Sequence, residues 1–159
     1  MRTRLIIGLA CVLALAVAIP AALAATTGGD RGRLDTQRLK FRVGDITTSR
    51  KGFRDITALR DLLVCAKGAV SVSVSVTVEG GPLALRVQLD DGPKLEPGEA
   101  RFAASPTTTS YSYTWADGVG TFEGSDGHVF DVQWRSPSGA PVTLHRGDVV
   151  VCYQEGNCP

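Results

Sequence analysis

The stretch that decides the fold is VSVSVSVTVEGGPLALRVQLDDG, residues 70–92. Valine occupies every second position from Val70 to Val78, and serine or threonine stands at each position between. Successive side chains of a β-strand point to opposite faces, so this pattern predicts a strand with one apolar face and one hydroxyl-bearing face. β-branched valine suits such a half-buried, pleated surface.

A second alternating run follows the turn sequence EGGP, with Leu83, Leu85, Val87 and Leu89 on one side of the predicted strand. The two runs together predict a β-hairpin on one sheet that has a dry side and a wet side. Parallel sheets are covered on both faces, whereas antiparallel sheets tolerate water on one. The sequence therefore predicts antiparallel sheets.

Further short strands are predicted at the spacing typical of an all-β domain, separated by turns rich in glycine and proline. The strand segments are LKFRVGDI (39–46), EARFAA (99–104), TSYSYTWA (109–116), HVFDVQWRS (128–136), and APVTLHR (140–146) leading into DVVVCYQ (148–154). The turns are DDGPKLEPG (90–98), DGVGTFEGSDG (117–127) and SPSGAP (136–141).

This organisation predicts an all-β fold, an antiparallel β-sandwich of about seven strands that is immunoglobulin-like, with a jelly roll as the alternative. Trp134 shares a strand face with Phe130 and Val132 and is predicted to lie in the core. Residues 53–65 fit either a strand or a short helix, and we predict that residues 59–65 are extended.

The first 24 residues, MRTRLIIGLACVLALAVAIPAALA, are predicted to be a secretory signal peptide cleaved after Ala24. Arg2 and Arg4 precede an apolar run, and small residues stand at Ala22 and Ala24. Residues 25–37 are predicted to be a flexible leader, and residues 38–159 a single β-sandwich domain. We expect a secreted, extracellular protein with no stable membrane insertion after cleavage.

The mature chain is predicted to be almost neutral. Without Arg2 and Arg4, 15 basic side chains remain against 16 acidic ones. This balance argues against binding to nucleic acid or to an anionic membrane surface. No cofactor is predicted, and no metal site, because the cysteines lack metal-ligand spacing and have no histidine near them in sequence.

Three cysteines, Cys65, Cys152 and Cys158, would remain in the mature chain. Export to an oxidising compartment predicts at least one disulfide, which leaves the third thiol unpaired or available for a disulfide-linked dimer. Pairing of Cys65 with Cys152 or Cys158 would tie the beginning of the domain to its last strand. The sequence leaves these pairings open.

Tyr111, Tyr113 and Trp115 fall on one face of a predicted strand. If this face is exposed, the rings form a platform on which sugars stack, and the protein is a carbohydrate-binding module. If the face is inward, the rings build the core, which is the usual fate of the aromatic side of an amphipathic strand.

Other motifs are better explained as turns than as sites. Arg146, Gly147 and Asp148 form the tripeptide of cell-adhesion sequences, but they also suit a tight turn before the last strand. Residues 117–128 carry three carboxylates, yet the spacing differs from that of a calcium loop. The proline-containing loop 91–98 could serve as the bait loop of a peptidase inhibitor.

Catalysis has little support. The chain has two histidines, His128 and His145, and no nucleophile-elbow, zinc-protease or phosphate-binding motif. The sequence therefore predicts a secreted, non-catalytic module that acts by extracellular binding or adhesion. The alternatives are a carbohydrate-binding module and a secreted hydrolase that uses one of the histidines.

Overall fold

A computed structural model describes residues 36–92, 94–123 and 127–155 of the chain. Nine strands are described: β1 (Thr36–Thr48), β2 (Arg54–Asp55), β3 (Leu62–Val64), β4 (Ala66–Gly80), β5 (Leu83–Leu89), β6 (Ala100–Phe102), β7 (Ser105–Glu123), β8 (His128–Arg135) and β9 (Val142–Glu155). These residues form no helix, so none of them makes a helix that could cross a membrane. The predicted signal peptide and residues 25–35 of the leader lie outside the described residues.

The strands form two antiparallel sheets that pack face to face. In the front sheet, which has four strands, the order is β1-β9-β4-β7. In the back sheet, which has five, the order is β2-β8-β5-β6, and β3 also pairs with β8. The prediction of an all-β antiparallel sandwich is thus confirmed. The prediction of about seven strands was too low, because residues 53–65 contribute the two short strands β2 and β3.

The predicted hairpin is wrong. β4 pairs with β7 and β9 in the front sheet, whereas β5 pairs with β6 and β8 in the back sheet. The turn at Gly80 and Gly81 therefore carries the chain from one sheet to the other. Gly80 has a φ of +104°, and a Cβ there would lie 2.5 Å from the carbonyl oxygen of Pro141, so this crossing requires glycine.

The core forms where the apolar faces of the two sheets meet. The five alternate valines of β4 are at most 3 % exposed, and the leucines of the return strand face them from the other sheet. Trp134, Phe130 and Val132 of β8 are buried, as predicted. The hydroxyl-bearing face of β4 lies on the outside of the front sheet, where Ser75 is exposed and its neighbours are half-buried.

The long strands extend beyond their predicted limits. β9 runs without interruption through residues that the sequence divided between two segments, and β7 continues to Glu123 through residues predicted to be a turn. β1 includes Thr36 and Gln37, which the sequence analysis assigned to the leader. In the segment 53–65, only Leu62–Val64 of the predicted extended residues 59–65 are in a strand.

Candidate functional site: an exposed apolar stripe on an edge strand

The outer face of the front sheet is a grid whose rows run across all four strands. One row contains Leu39, Val150, Ser73 and Thr114, because each is paired with the next in the strand register. Directly paired residues of antiparallel strands share a face, so the side chains of one row are neighbours. The register therefore shows what stands beside each exposed residue of this face.

The half of the grid on β4 and β7 is a ladder of paired hydroxyl groups. The hydroxyls of Ser73 and Thr114 are 2.9 Å apart, and the equivalent pairs are Ser75 with Ser112 at 3.1 Å and Thr77 with Ser110 at 3.0 Å. Each of these hydroxyls already has a partner across the strands, which explains the serine-threonine periodicity as cross-strand stabilisation.

The half on β1 is apolar and exposed. Leu39, Phe41 and Val43 have exposed fractions of 60 %, 66 % and 74 %, and we call these three residues the β1 stripe. Val150 of β9 lies directly beside Leu39 and is only half-buried. Apolar residues exposed together on one strand are unusual on a monomer and mark interaction surfaces.

The cations between these apolar residues face the other way. Arg38, Lys40 and Arg42 are paired with Val151, Val149 and Gly147, which all lie on the inner side of β9. The ammonium of Lys40 donates hydrogen bonds to the carbonyl oxygens of Arg60 and Asp61, at 2.5 and 2.8 Å, in the loop between β2 and β3.

The polar loop across from β1 explains why the cations turn inward. The facing edge of the back sheet consists of two short strands joined by a loop, whose backbone carbonyls accept hydrogen bonds and need donors. Lys40 donates to two of these carbonyls. Because side chains alternate between the two faces of a strand, its apolar neighbours then point outward. The Nε of Arg42 is buried and has no hydrogen-bond partner among the described residues.

The stripe ends at a bulge where His145 stands between two carboxylates. The Nδ1 of His145 is 2.7 Å from Oδ1 of Asp45, and its Nε2 is 3.7 Å from Oε2 of Glu79. Gly44 begins the bulge with a φ of +109°. A serine hydrolase requires a hydroxyl nucleophile at the second ring nitrogen, but here that position faces a carboxylate. The described contacts of His145 therefore differ from those of a serine-hydrolase histidine.

The other histidine is part of a strand-end contact. The Nδ1 of His128 is 2.8 Å from Oδ2 of Asp90, and Oδ1 of the same carboxylate accepts a hydrogen bond from the backbone N–H of Val129. The Asp90 carboxylate thus connects the loop that follows β5 to the beginning of β8. Within the described ranges, no cluster of three or more His, Cys, Asp or Glu residues is arranged to hold a metal ion.

The aromatic residues singled out in the sequence lie on the inner face of β7. Trp115 is fully buried, and its indole N–H donates to the carbonyl oxygen of Gly98 at 2.8 Å. Tyr113 and Tyr111 are half-buried and pack against the core, with Tyr111 stacked on Phe102 at 4.6 Å between ring centroids. The three rings cover the core at β7, the edge strand opposite β1, so they do not form a flat exposed platform.

The Arg146–Asp148 tripeptide lies in the middle of β9, so neither a receptor-binding loop tip nor the predicted tight turn is formed. Arg146 and Asp148 pair with each other through Nε and Oδ2 at 2.9 Å, and this hydrogen bond raises the pKa of the exposed guanidinium. Gly147 serves close packing, because a Cβ there would lie 2.8 Å from the Cδ1 of Leu59.

The remaining candidates are only partly described. Cys152 is a free, half-buried thiol on the outer face of β9, and Cys65 is half-buried between β3 and β4. Cys158 lies outside the described residues, as does Asp126 of the calcium candidate. The side chains of Asp117 and Glu123 are likewise not described. Loop 91–98, the bait-loop candidate, is described except at residue 93.

The outer face of the back sheet is a self-contained polar network. Phe53 lies under two guanidinium groups, 4.2 Å from that of Arg86 and 4.8 Å from that of Arg135. One terminal nitrogen of Arg135, Nη2, donates to both carboxylate oxygens of Glu99 at 2.9 and 2.8 Å. Burial would raise the pKa of Glu99, but hydrogen bonds from Arg135 and Arg101 outweigh it and lower the pKa. Burial lowers the pKa of Arg86 against the opposing charge of Glu99.

One carboxylate of this face, that of Asp131, is buried, which is unfavourable for its charged form. Asp131 is 7 % exposed and accepts a hydrogen bond from the backbone N–H of Asp61 at 2.6 Å. Burial raises the pKa of Asp131 despite that hydrogen bond, and the charges of Asp55, Asp61 and Asp91 raise it further. Its hydrogen bond with Asp61 connects β8 to the loop between β2 and β3.

No protein-family model matches this chain, and no curated protein is significantly similar to it. Function must therefore be inferred from the geometry. The packing of the fold does not explain why the apolar residues of the β1 stripe are exposed. The strand 39–46 was predictable from the sequence, but its exposed apolar face was not. The available signal was the alternation of leucine, phenylalanine and valine with three cations, which does not by itself tell which set faces outward.

Proposed function

We propose that this protein is a secreted, non-catalytic β-sandwich module that binds another protein through the β1 stripe. The observation that carries the proposal is the exposure of Leu39, Phe41 and Val43 on one face of an edge strand. Complete burial of one such side chain is worth about 1.5–3 kcal/mol, so covering the stripe would contribute substantially to binding. The paired hydroxyls of β4 and β7, separated from the stripe by β9, provide a polar rim.

Secretion is supported by the N-terminal sequence. Two arginines, an apolar run and the small residues before Ala25 have the order of a signal peptide. Mass measurement of the protein recovered from the culture medium tests this: a mature chain beginning at Ala25 supports export, and an intact Met1 argues against it.

Among sandwich topologies we propose a jelly roll rather than an immunoglobulin-like arrangement. Among the nine described strands, β5 and β6 are the only two consecutive ones that pair, whereas in an immunoglobulin sheet several consecutive strands are adjacent. If β2 and β3 are counted as one interrupted strand, two four-stranded sheets interleave along the chain, which is the arrangement of a jelly roll. The topology by itself implies no function.

We also propose a disulfide between Cys65 and Cys158. Ala66 lies opposite Glu155 in the register of β4 and β9, so Cys65 stands near the point where the chain leaves β9 toward Cys158. Cys152 is the free thiol. Mass mapping of peptides under non-reducing conditions tests the pairing; a Cys65–Cys152 peptide would refute it.

The alternatives from the sequence have less support. A carbohydrate-binding platform would require exposed rings at 111, 113 and 115, but Trp115 is 0 % exposed. A hydrolase would require a nucleophile beside one of the histidines, and the described contacts of His145 are with two carboxylates. A peptidase inhibitor has no specific observation in its favour.

Two serine substitutions at exposed apolar positions test the binding proposal. Leu63 of β3 is 60 % exposed and lies outside the stripe, so Leu63→Ser is the matched control for Phe41→Ser. The exported protein is immobilised, incubated with surface proteins of the producing cells, and the bound proteins are quantified. We expect Phe41→Ser to lose a partner that wild type and Leu63→Ser both retain. Equal retention by all three proteins, or no retained protein, would refute the proposal.

A further inference from the structure

We propose that the free edge of β1 binds an extended segment of the partner as an added strand, and that the side chains of this segment alternate between apolar and acidic residues. This inference rests on the proposed function and adds the mode of binding and the chemistry of the partner. Strand addition at an exposed sheet edge is an established way of recognising extended peptides.

The edge is long and regular enough for strand addition. Among the described strands, β1 is the outermost of the front sheet and pairs only with β9. From Thr36 to Val43 the register with β9 is unbroken, and the irregularity comes only between Val43 and Ile46. Alternate residues of an edge strand direct their backbone N–H and C=O groups away from the sheet, where another strand can pair with them.

The charges of this edge determine what kind of strand fits. Residues 36–43 contain Arg38, Lys40 and Arg42 and no acidic residue. None of the ion pairs among the described residues involves these three cations. They share the inner face, so an added strand would place every second side chain beside them. Cross-strand pairs of opposite charge are favourable, which selects acidic residues there.

The other face of the added strand would meet the β1 stripe. A residue of an added strand directly opposite Leu39, Phe41 or Val43 has its Cβ about 4.5–5.5 Å away, within packing distance. An apolar residue opposite Leu39 would complete an apolar row with the partly buried Val150, whereas Phe41 and Val43 have Asp148 and Arg146 as their neighbours on β9. Because successive side chains of a strand point to opposite faces, the partner strand would carry apolar residues on one face and acidic residues on the other.

The same charges argue against a second copy of this chain as the occupant. Antiparallel pairing of β1 with its own copy would place three cations of one chain beside three of the other. Like charges directly opposite each other on a sheet are destabilising. Inward cations on an edge strand also protect natural proteins from edge-to-edge aggregation, so repulsion of another copy and attraction of an acidic strand have the same cause.

Three synthetic octapeptides provide the probe. The first alternates valine and glutamate, the second alternates valine and lysine, and the third has the composition of the first with the valines and glutamates in separate blocks. Binding to the mature protein is measured by fluorescence anisotropy at low ionic strength. We expect the alternating glutamate peptide to bind at least about tenfold more tightly than either control.

Charge reversal on the protein is the matched variant. In Arg38→Glu/Arg42→Glu, the preference should shift from the glutamate to the lysine peptide, because both altered side chains flank the added strand. Lys40 is retained, since it holds the loop at Arg60 and Asp61. Hydrogen exchange gives a second readout: strand addition should slow exchange of β1 amides, whereas packing on the outer face alone should not.

The outcomes separate this inference from the proposed function. If no peptide binds, if order and charge do not matter, or if the charge-reversed variant behaves as wild type, strand addition of an acidic segment is refuted. Loss of the natural partner in Phe41→Ser but not in the charge-reversed variant would leave the proposed function standing and refute the inference. Sedimentation showing a dimer that dissociates in Phe41→Ser would identify a second copy as the occupant, and would also refute it.

Discussion

Phe41 and Lys40 are neighbours in the chain, yet they belong to opposite sides of the front sheet. The ring of Phe41 is 66 % exposed on the outer face, while the ammonium of Lys40 reaches the carbonyl oxygens of Arg60 and Asp61 in the facing layer. The usual distribution of apolar and charged residues is thus inverted on β1. This inversion is the basis of the binding proposal and of the first prediction.

Phe41→Ser should leave the free energy of unfolding almost unchanged, within about 0.5 kcal/mol, because the ring is mostly in water already. Val74→Ser should cost at least about 2 kcal/mol, because it places a hydroxyl in the core and removes buried apolar area. Val74 is 0 % exposed. Urea denaturation measures both. Comparable destabilisation by the two changes would show that the ring of Phe41 is covered in the folded protein.

Trp115→Ala should destabilise the protein by roughly 3–5 kcal/mol, as expected for removal of a buried tryptophan. Trp115→Phe should cost less, because it keeps most of the apolar contact and loses only the hydrogen bond to the carbonyl oxygen of Gly98. Thermal or urea unfolding of both variants measures the difference. Wild-type stability in Trp115→Ala would mean that this side chain faces solvent, as a sugar-stacking platform requires.

The period of two in residues 70–78 is enough to predict β4 and its buried face, because every second residue is valine and the alternatives are hydroxyls. Trp134 could be placed in the core for the same reason. On β1 the same period is present, but leucine and phenylalanine alternate with lysine and arginine. Which set faces inward depends on the loop of β2 and β3 across the sandwich, which local sequence does not reveal.

Strand partners were also beyond the reach of the local pattern. β4 and β5 are joined by EGGP, a sequence typical of a hairpin turn, yet they lie in different sheets. Gly147 was predicted to form a bend. In the structure it lies within β9, where Leu59 packs so closely against the backbone that a Cβ would not fit. In both cases glycine has a role set by contacts between residues that are distant in the sequence.

Asp131→Asn should make the protein more stable than wild type at pH 7. The raised pKa means that the folded state favours the protonated carboxyl, so wild type loses stability as the pH rises from the ordinary aspartate value of about 3.9 through the folded value. The asparagine oxygen can still accept the Asp61 N–H. Denaturation at pH 3 and pH 7 tests this: the advantage should disappear at the lower pH, and an equal advantage at both would contradict it.

Glu99→Gln should show the opposite trend. Because Arg135 and Arg101 lower the pKa of Glu99, its contribution is fully present above the ordinary glutamate value of about 4.3 and is lost as the pH falls through the folded value. We expect a cost of about 1–2 kcal/mol at pH 7, because the substitution removes the charge of the carboxylate that accepts from Nη2 of Arg135, and a smaller cost in acid. A cost that does not depend on pH would rule out the charged contact as its source.

Hydroxyl-radical footprinting of the isolated protein, read by mass spectrometry, tests most directly whether the β1 stripe faces solvent. We predict rapid modification of Phe41, 66 % exposed, together with protection of Phe130, Trp115 and Trp134, which are at most 1 % exposed. Leu63 should be modified as an exposed reference residue. Protection of Phe41 comparable to that of Phe130 in the monomer would contradict the account, because the proposed binding surface would then be part of the core.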